Sequence, residues 1–210
     1  MPSADLLWPF LIATFLFAYF PGPALLYTAA RTLAGGRKAG LFAAFGIHLG
    51  CYVHVLAATL GLSAMLRHVP EVYLALKFVG AAYLIWLGIA MIRARATATD
   101  MPRIRDKSAS RAFVESVMVE LLNPKVAVFF IAFLPQFVDP SAAWPVWVQF
   151  LVMGTFVNCC FTSADLVTVF LTERVVRAVR SSGRGERIAR ALGGSVLMGL
   201  GAHLALSRAQ

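Results

Sequence analysis

Apolar and polar positions alternate along this chain on a long scale: six nearly charge-free stretches, at residues 6–32, 41–66, 72–92, 112–138, 142–172 and 188–206, are separated by short polar segments. A helix needs roughly 20 apolar residues to cross the hydrocarbon core of a bilayer, so the pattern predicts an all-α membrane protein with six transmembrane helices. Two of the six stretches carry an interruption. Phe20-Pro21-Gly22-Pro23 lies inside the first and Asn123-Pro124-Lys125 inside the fourth. Proline removes an intrahelical hydrogen bond and clashes with the preceding turn, so the first and fourth helices are expected to break near the bilayer midplane. Backbone exposed at that depth is tolerated only where protein covers it or a water-filled cavity solvates it, so each break predicts a cavity beside it.

Charge adds a direction. The chain has 210 residues, a formal charge of +9 and a mean hydropathy of +0.76. Its basic residues sit between the apolar stretches, a placement that argues for membrane topology and against nucleic-acid binding. The segments after stretches one, three and five hold three (Arg31, Arg37, Lys38), six (from Arg93 to Arg111) and six (from Arg174 to Arg190), against Arg67, Lys77 and Arg208 on the other side. The positive-inside rule then puts the three basic segments in the cytoplasm and both termini in the periplasm. The polar linker at 93–111 divides a single polytopic domain, residues 1–210, into halves 1–92 and 112–210. Each half has three spans, so equivalent halves must be inverted, giving a 3+3 inverted repeat with broken first and fourth helices. Asp5 and no basic residue precedes the first stretch, which is therefore expected to remain in the mature chain.

Candidate chemistry gathers at the breaks. A half-helix starting at Ala24 would present unpaired amides and a positive dipole end, so Pro21, Gly22, Pro23 and Ala24 form one side of an expected substrate site. Asn123, Pro124 and Lys125 form the other, with Lys125 read either as a cation meeting a substrate carboxylate or as a structurally paired lysine. At about 100° per residue, Asn158, Thr162 and Asp165 share a narrow face of the fifth helix that Thr172 extends, and such a stripe should face the protein interior. Asn158 joins the expected substrate site. Asp165 and Glu120 are the candidates for a proton taken up and released during transport, each with a structural partner role as its alternative. Glu115 reads as a first-turn acid at the cytoplasmic surface. Gly46 and Gly50 are spaced for close helix packing. His48, Cys51 and His54 diverge by about 60° per step of three, so one helix cannot turn all three to one metal ion. No glycine-rich phosphate loop is present, so ATP is not the direct energy source.

Phe20-Pro21-Gly22-Pro23, the Arg-x-x-x-Gly-Gly-Arg-Lys-Ala-Gly turn from Arg31 to Gly40, Gly-Ala-Ala-Tyr-Leu-Ile-Trp-Leu-Gly from Gly80 to Gly88, and Asn-Pro-Lys followed by Phe-Leu-Pro-Gln-Phe-Val-Asp-Pro (Phe133 to Pro140) together resemble the LysE/RhtB amino-acid exporter family. The resemblance covers nearly the whole chain. It implies a multi-pass bacterial inner-membrane exporter of amino acids or their small derivatives, driven by the proton motive force, with no cofactor and no enzymatic activity. Asp165 stands where many members have an acid in the fifth helix, and Cys51 where some have an acid in the second. A homodimer is compatible with such a chain. The alternative is a membrane redox carrier or membrane enzyme of related broken-helix shape. Bundles of that kind pass electrons through a cysteine in each broken helix, whereas Cys51, Cys159 and Cys160 lie in stretches two and five.

Overall fold

In a computed structural model the described residues are 4–68 and 109–181, with isolated helical positions between 75 and 93 and between 191 and 206. The third and sixth stretches, the linker, Lys77 and the Gly80–Gly88 motif therefore fall largely or wholly outside them. Every regular element among the described residues is helical. Helix α1 spans Ala4–Ala18, α2 Pro23–Ala57, α3 Ser63–His68, α4 Ala109–Leu121, α5 Pro124–Val128 and α6 Val146–Ser181. Among the described residues three helical stretches, Pro23–Met65, Ser110–Phe137 and Val146–Thr172, are long and apolar enough to cross a membrane, and Leu6–Ala18 is a shorter apolar helix. The chain is a multi-pass membrane protein.

Both expected breaks are present. Helix α1 stops at Ala18 and α2 begins at Pro23; α4 stops at Leu121 and α5 begins at Pro124. In each case proline takes the first helical position, where a missing N–H costs nothing and the fixed φ suits the helix. The glycine turn also lies where expected. Gly36 has φ +72°, open to glycine and rare for any other residue, and Gly35 leaves the helical region beside it. The chain doubles back there: a Cβ on Gly40 would collide with the Thr32 hydroxyl, although eight helical residues rise about 12 Å. Ala24 and Tyr27 of the first limb consequently cluster with Ala43 and Ile47 of the second.

The second limb of α2 is the centre of the bundle, packed against both α4 and α6. Gly46 and Gly50 make the first of these contacts. A Cβ on Gly46 would lie 2.7 Å from the Ser116 Cβ, and one on Gly50 would lie 2.8 Å from the Val117 carbonyl oxygen. Lipid tails are as apolar as leucine, so association in the bilayer depends on packing of this kind and not on water exclusion. The other side is aromatic. Between Phe129 and Phe133 the helix widens into a π turn, which turns Phe129, Phe130 and Phe133 all inward. Phe129 meets Phe17 and Phe133 at ring-centroid distances of 4.7 and 4.8 Å, within the favourable range for tilted pairs.

Two boundaries differ from expectation. Helix α6 has 36 residues, about 54 Å of rise, so it outruns the hydrocarbon and carries residues 173–181 as helix where a basic loop was expected. Arg31, counted with the basic turn, instead sits inside α2 with only 9% of its surface exposed. At the exit of the 3₁₀ turn Leu134–Phe137, the fully buried Gln149 clips the next loop, accepting from the Asp139 amide (2.9 Å) and donating to the Asp139 and Trp144 carbonyls (2.8 Å each). The Ser141 hydroxyl and amide hold the Asp139 carboxyl below its usual range.

Candidate functional site

The first break leaves its half-helix open. Gly22, the residue before α2, is extended and has no side chain to accept from the first amides, so those of Ala24 and Leu25 receive no cap from it. The second break closes itself. Asn123 Oδ1 accepts from the Lys125 amide (3.1 Å), and Asn123 Nδ2 donates to Glu120 Oε2 (3.0 Å).

Lys125 is the link between them. Its side chain crosses from the second break to the first, passing so close to Gly22 that a Cβ there would stand 2.7 Å from the Lys125 Cδ. The ammonium donates to the Phe17 carbonyl in the last turn of α1 (2.7 Å) and to the Phe20 carbonyl in the break itself (2.6 Å). Carbonyls left over at a helix C-terminus carry the negative dipole end and favour a cation. The Phe17 ring lies 4.7 Å from the nitrogen, with Phe20 and Phe161 further out, which adds cation–π attraction. Lys125 is 7% exposed.

The two breaks share one cavity. Gly22, Ala24, Asn123, Lys125, Glu120 and Asp165 all line it, with Ala18, Leu25, Ile47, Val126 and Phe161 between them. Its volume is about 20 Å³, room for about one water and far below the several hundred Å³ typical of ligand pockets. In this conformation the space is small, with the ionisable groups set in a mainly apolar lining. Asp165 Oδ1 accepts from the Thr28 hydroxyl at 3.0 Å, and Glu120 Oε1 is buried without a hydrogen-bond partner among the described residues. Pro21, Pro23 and Pro124 shape the backbone but are not among the lining residues.

The polar stripe of the fifth stretch does face inward. Asn158, Asp165 and Thr172 are at most 2% exposed. Asn158 is not among the cavity-lining residues, however: its Nδ2 donates to the His48 carbonyl (3.2 Å) and its Oδ1 has no hydrogen-bond partner among the described residues. His48 Nδ1 and the Thr162 hydroxyl are 2.6 Å apart, and His54 Nε2 lies 3.1 Å from the Glu120 carbonyl oxygen. Glu115, expected in a first turn, is in the second turn of α4 and accepts from the Tyr27 hydroxyl at 3.3 Å. Cys51, Cys159 and Cys160 are free thiols on α2 and α6. Sequence reasoning missed Thr28 as the partner of Asp165. The signal was present, since Thr28 is one turn beyond Ala24 and so on the face that leaves the break.

Known proteins are similar to this chain over nearly its whole length. An uncharacterized membrane protein of Vibrio cholerae is 31% identical over 204 residues, covering 95% of this chain and 96% of its own. The homoserine/homoserine lactone efflux protein of Salmonella typhimurium is 30% identical, covering 95% of each chain. The leucine efflux protein of Klebsiella pneumoniae is 28% identical, covering 93% of this chain and 92% of its own. No solved structure matches. With two helix breaks meeting at one cavity, and a match to the LysE type translocators that runs from residue 15 to residue 208, the chain belongs to the LysE type translocator family and is a membrane translocator, not an enzyme.

Proposed function

We propose that the chain is a secondary exporter of zwitterionic amino acids or their small derivatives, working across the bacterial inner membrane as a 3+3 inverted repeat of six spans with both termini periplasmic. The observation that carries this reading is the convergence of both breaks, one uncapped half-helix, one lysine and two acids on a single cavity. A carboxylate that leaves water must be met by fixed donors, and the amides after Pro23 together with the Lys125 ammonium supply them. The names of the relatives, which speak of leucine and of homoserine efflux, support the substrate class.

Since the cavity is now about one water in size and Lys125 is held by the Phe17 and Phe20 carbonyls, binding opens the space and moves the ammonium from those carbonyls towards the substrate. Asp165 and Glu120 are the proton carriers in this scheme. Both are carboxyls in the membrane interior, where an ionised form without a full set of partners is costly.

Purified protein, bound to an exported amino acid and to its amide, tests the carboxylate site. Lys125→Ala should weaken the acid at least tenfold more than the amide; equal losses would refute it. Asp165→Asn should stop efflux driven by a proton gradient while protein remains in the membrane. Normal transport with an unchanged pH dependence would leave Asp165 structural and Glu120 as the remaining carrier.

A further inference from the structure

The Lys125 ammonium sits in a cage that contains no acid. The Phe17 and Phe20 carbonyls accept from it at 2.7 and 2.6 Å, and the rings of Phe17, Phe20 and Phe161 lie around it with centroids at 4.7, 5.6 and 5.9 Å. The Phe17 carbonyl also accepts from the Phe20 amide, whereas the Phe20 carbonyl has no backbone donor among the described residues. Carbonyl oxygens and ring faces attract any primary ammonium, so nothing in the cage is particular to a lysine. It adjoins the cavity. Lys125 and Phe161 line that space, and the nitrogen lies 3.5 Å from where a Cβ on Gly22 would stand, beside the first amides of α2. A single break therefore presents acceptors on one side of Pro21 and Gly22 and donors on the other. An α-amino acid carries the matching pair, an ammonium and a carboxylate joined through one carbon.

We propose that the α-ammonium of the substrate exchanges with the Lys125 ammonium in the cage formed by the Phe17 and Phe20 carbonyls and the Phe17, Phe20 and Phe161 rings. This rests on the carboxylate site proposed above and adds the partner of the other charge. When Lys125 turns to the carboxylate, both carbonyls lose a charge-assisted donor inside the membrane, at a cost that nothing else among the described residues offsets at Phe20. The incoming ammonium restores those bonds while the lysine makes new ones to the carboxylate. Each cation then keeps a partner throughout. A carboxylic acid without the amine draws the lysine out and leaves the cage bare, and an amine without the carboxylate has nothing to draw the lysine away. Only a zwitterion does both, so the exchange selects α-amino acids without engaging Asp165 or Glu120.

The test measures binding to the purified full-length chain by calorimetry, with leucine and with 4-methylpentanoate, which is leucine without its amine. The wild type should hold leucine at least thirtyfold more tightly. Phe17→Leu keeps the carbonyl and removes the nearest ring. It should leave leucine within twofold, because the ring is lost from both sides of the exchange, and should tighten 4-methylpentanoate about threefold, because the lysine then leaves a weaker cage. Lys125→Ala empties the cage. n-Propylammonium, which replaces the missing part of the lysine, should raise the unfolding temperature of that variant saturably and leave the wild type unmoved. The rise should persist when Asp165→Asn or Glu120→Gln is added. Equal binding of the two ligands, an unchanged ratio in Phe17→Leu, or an amine effect that disappears with either acid would overturn the exchange and leave the carboxylate site standing. If Lys125→Ala does not fold even with the amine present, the ratio in Phe17→Leu decides. A wild-type chain that binds neither leucine nor homoserine would overturn both.

Discussion

The two helix breaks look alike in sequence and differ in how their loose ends are satisfied. The second is self-sufficient: Asn123 caps α5 and at the same time binds Glu120 from the turn before. The first has glycine where a cap would be, and its other end is held by a residue more than a hundred positions away, Lys125. A half-helix with its cap already filled has little left to offer a ligand. An uncapped one offers amides, so the carboxylate site proposed above falls at the first break, with Lys125 reaching it from the second.

The largest expected effect comes from removing the shared residue. Lys125→Met keeps length and apolar bulk but takes the ammonium from the Phe17 and Phe20 carbonyls, of which only that of Phe17 still accepts from a backbone amide, and should cost about 3 kcal/mol in stability from two charge-assisted hydrogen bonds. Thermal unfolding in detergent would read this. A loss no larger than that of Asn123→Ala would make the two breaks equivalent after all. Gly22→Ala comes next. Its Cβ must displace the lysine stem, an overpacking cost of about 2 kcal/mol, and because the backbone at Gly22 is extended the effect should vanish in a Lys125→Ala background. A double-mutant cycle checks this, and additive losses would show that the lysine does not run past Gly22. Asn123→Ala is the smallest, about 1 kcal/mol for a lost cap. Its effect should fall on stability and on Glu120, not on substrate affinity, and a binding measurement separates the two.

Much of this was legible before any coordinates. Prolines flanking glycine mark a break by local sterics, the interior stripe on α6 follows from helical period alone, and Gly46 and Gly50 announce close packing by their spacing. What could not be read is any partnership that runs through backbone. Lys125 seeks carbonyl oxygens, which every residue has, so nothing in the letters points to Phe17 and Phe20. Gln149 clips a loop in the same way. Arg31 was misjudged for another reason: charge counting treats an arginine beside a glycine turn as loop, whereas the turn begins four residues later and leaves Arg31 on the buried side of α2.

The glycine seam between α2 and α4 has a kinematic consequence. Transporters change state by sliding or rocking elements past one another, and a slide along a helix proceeds in steps of a turn, about 5.4 Å. At this seam such a step is blocked in both directions. Moved one way, Phe42 would arrive where Gly46 now fits against Ser116; moved the other, His54 would arrive where Gly50 meets the Val117 carbonyl, and neither place has room even for a Cβ. Residues 37–57 and α4 are thus locked in register and travel as one rod, and any displacement that opens the cavity is taken up at the two breaks and along the aromatic contacts of α1.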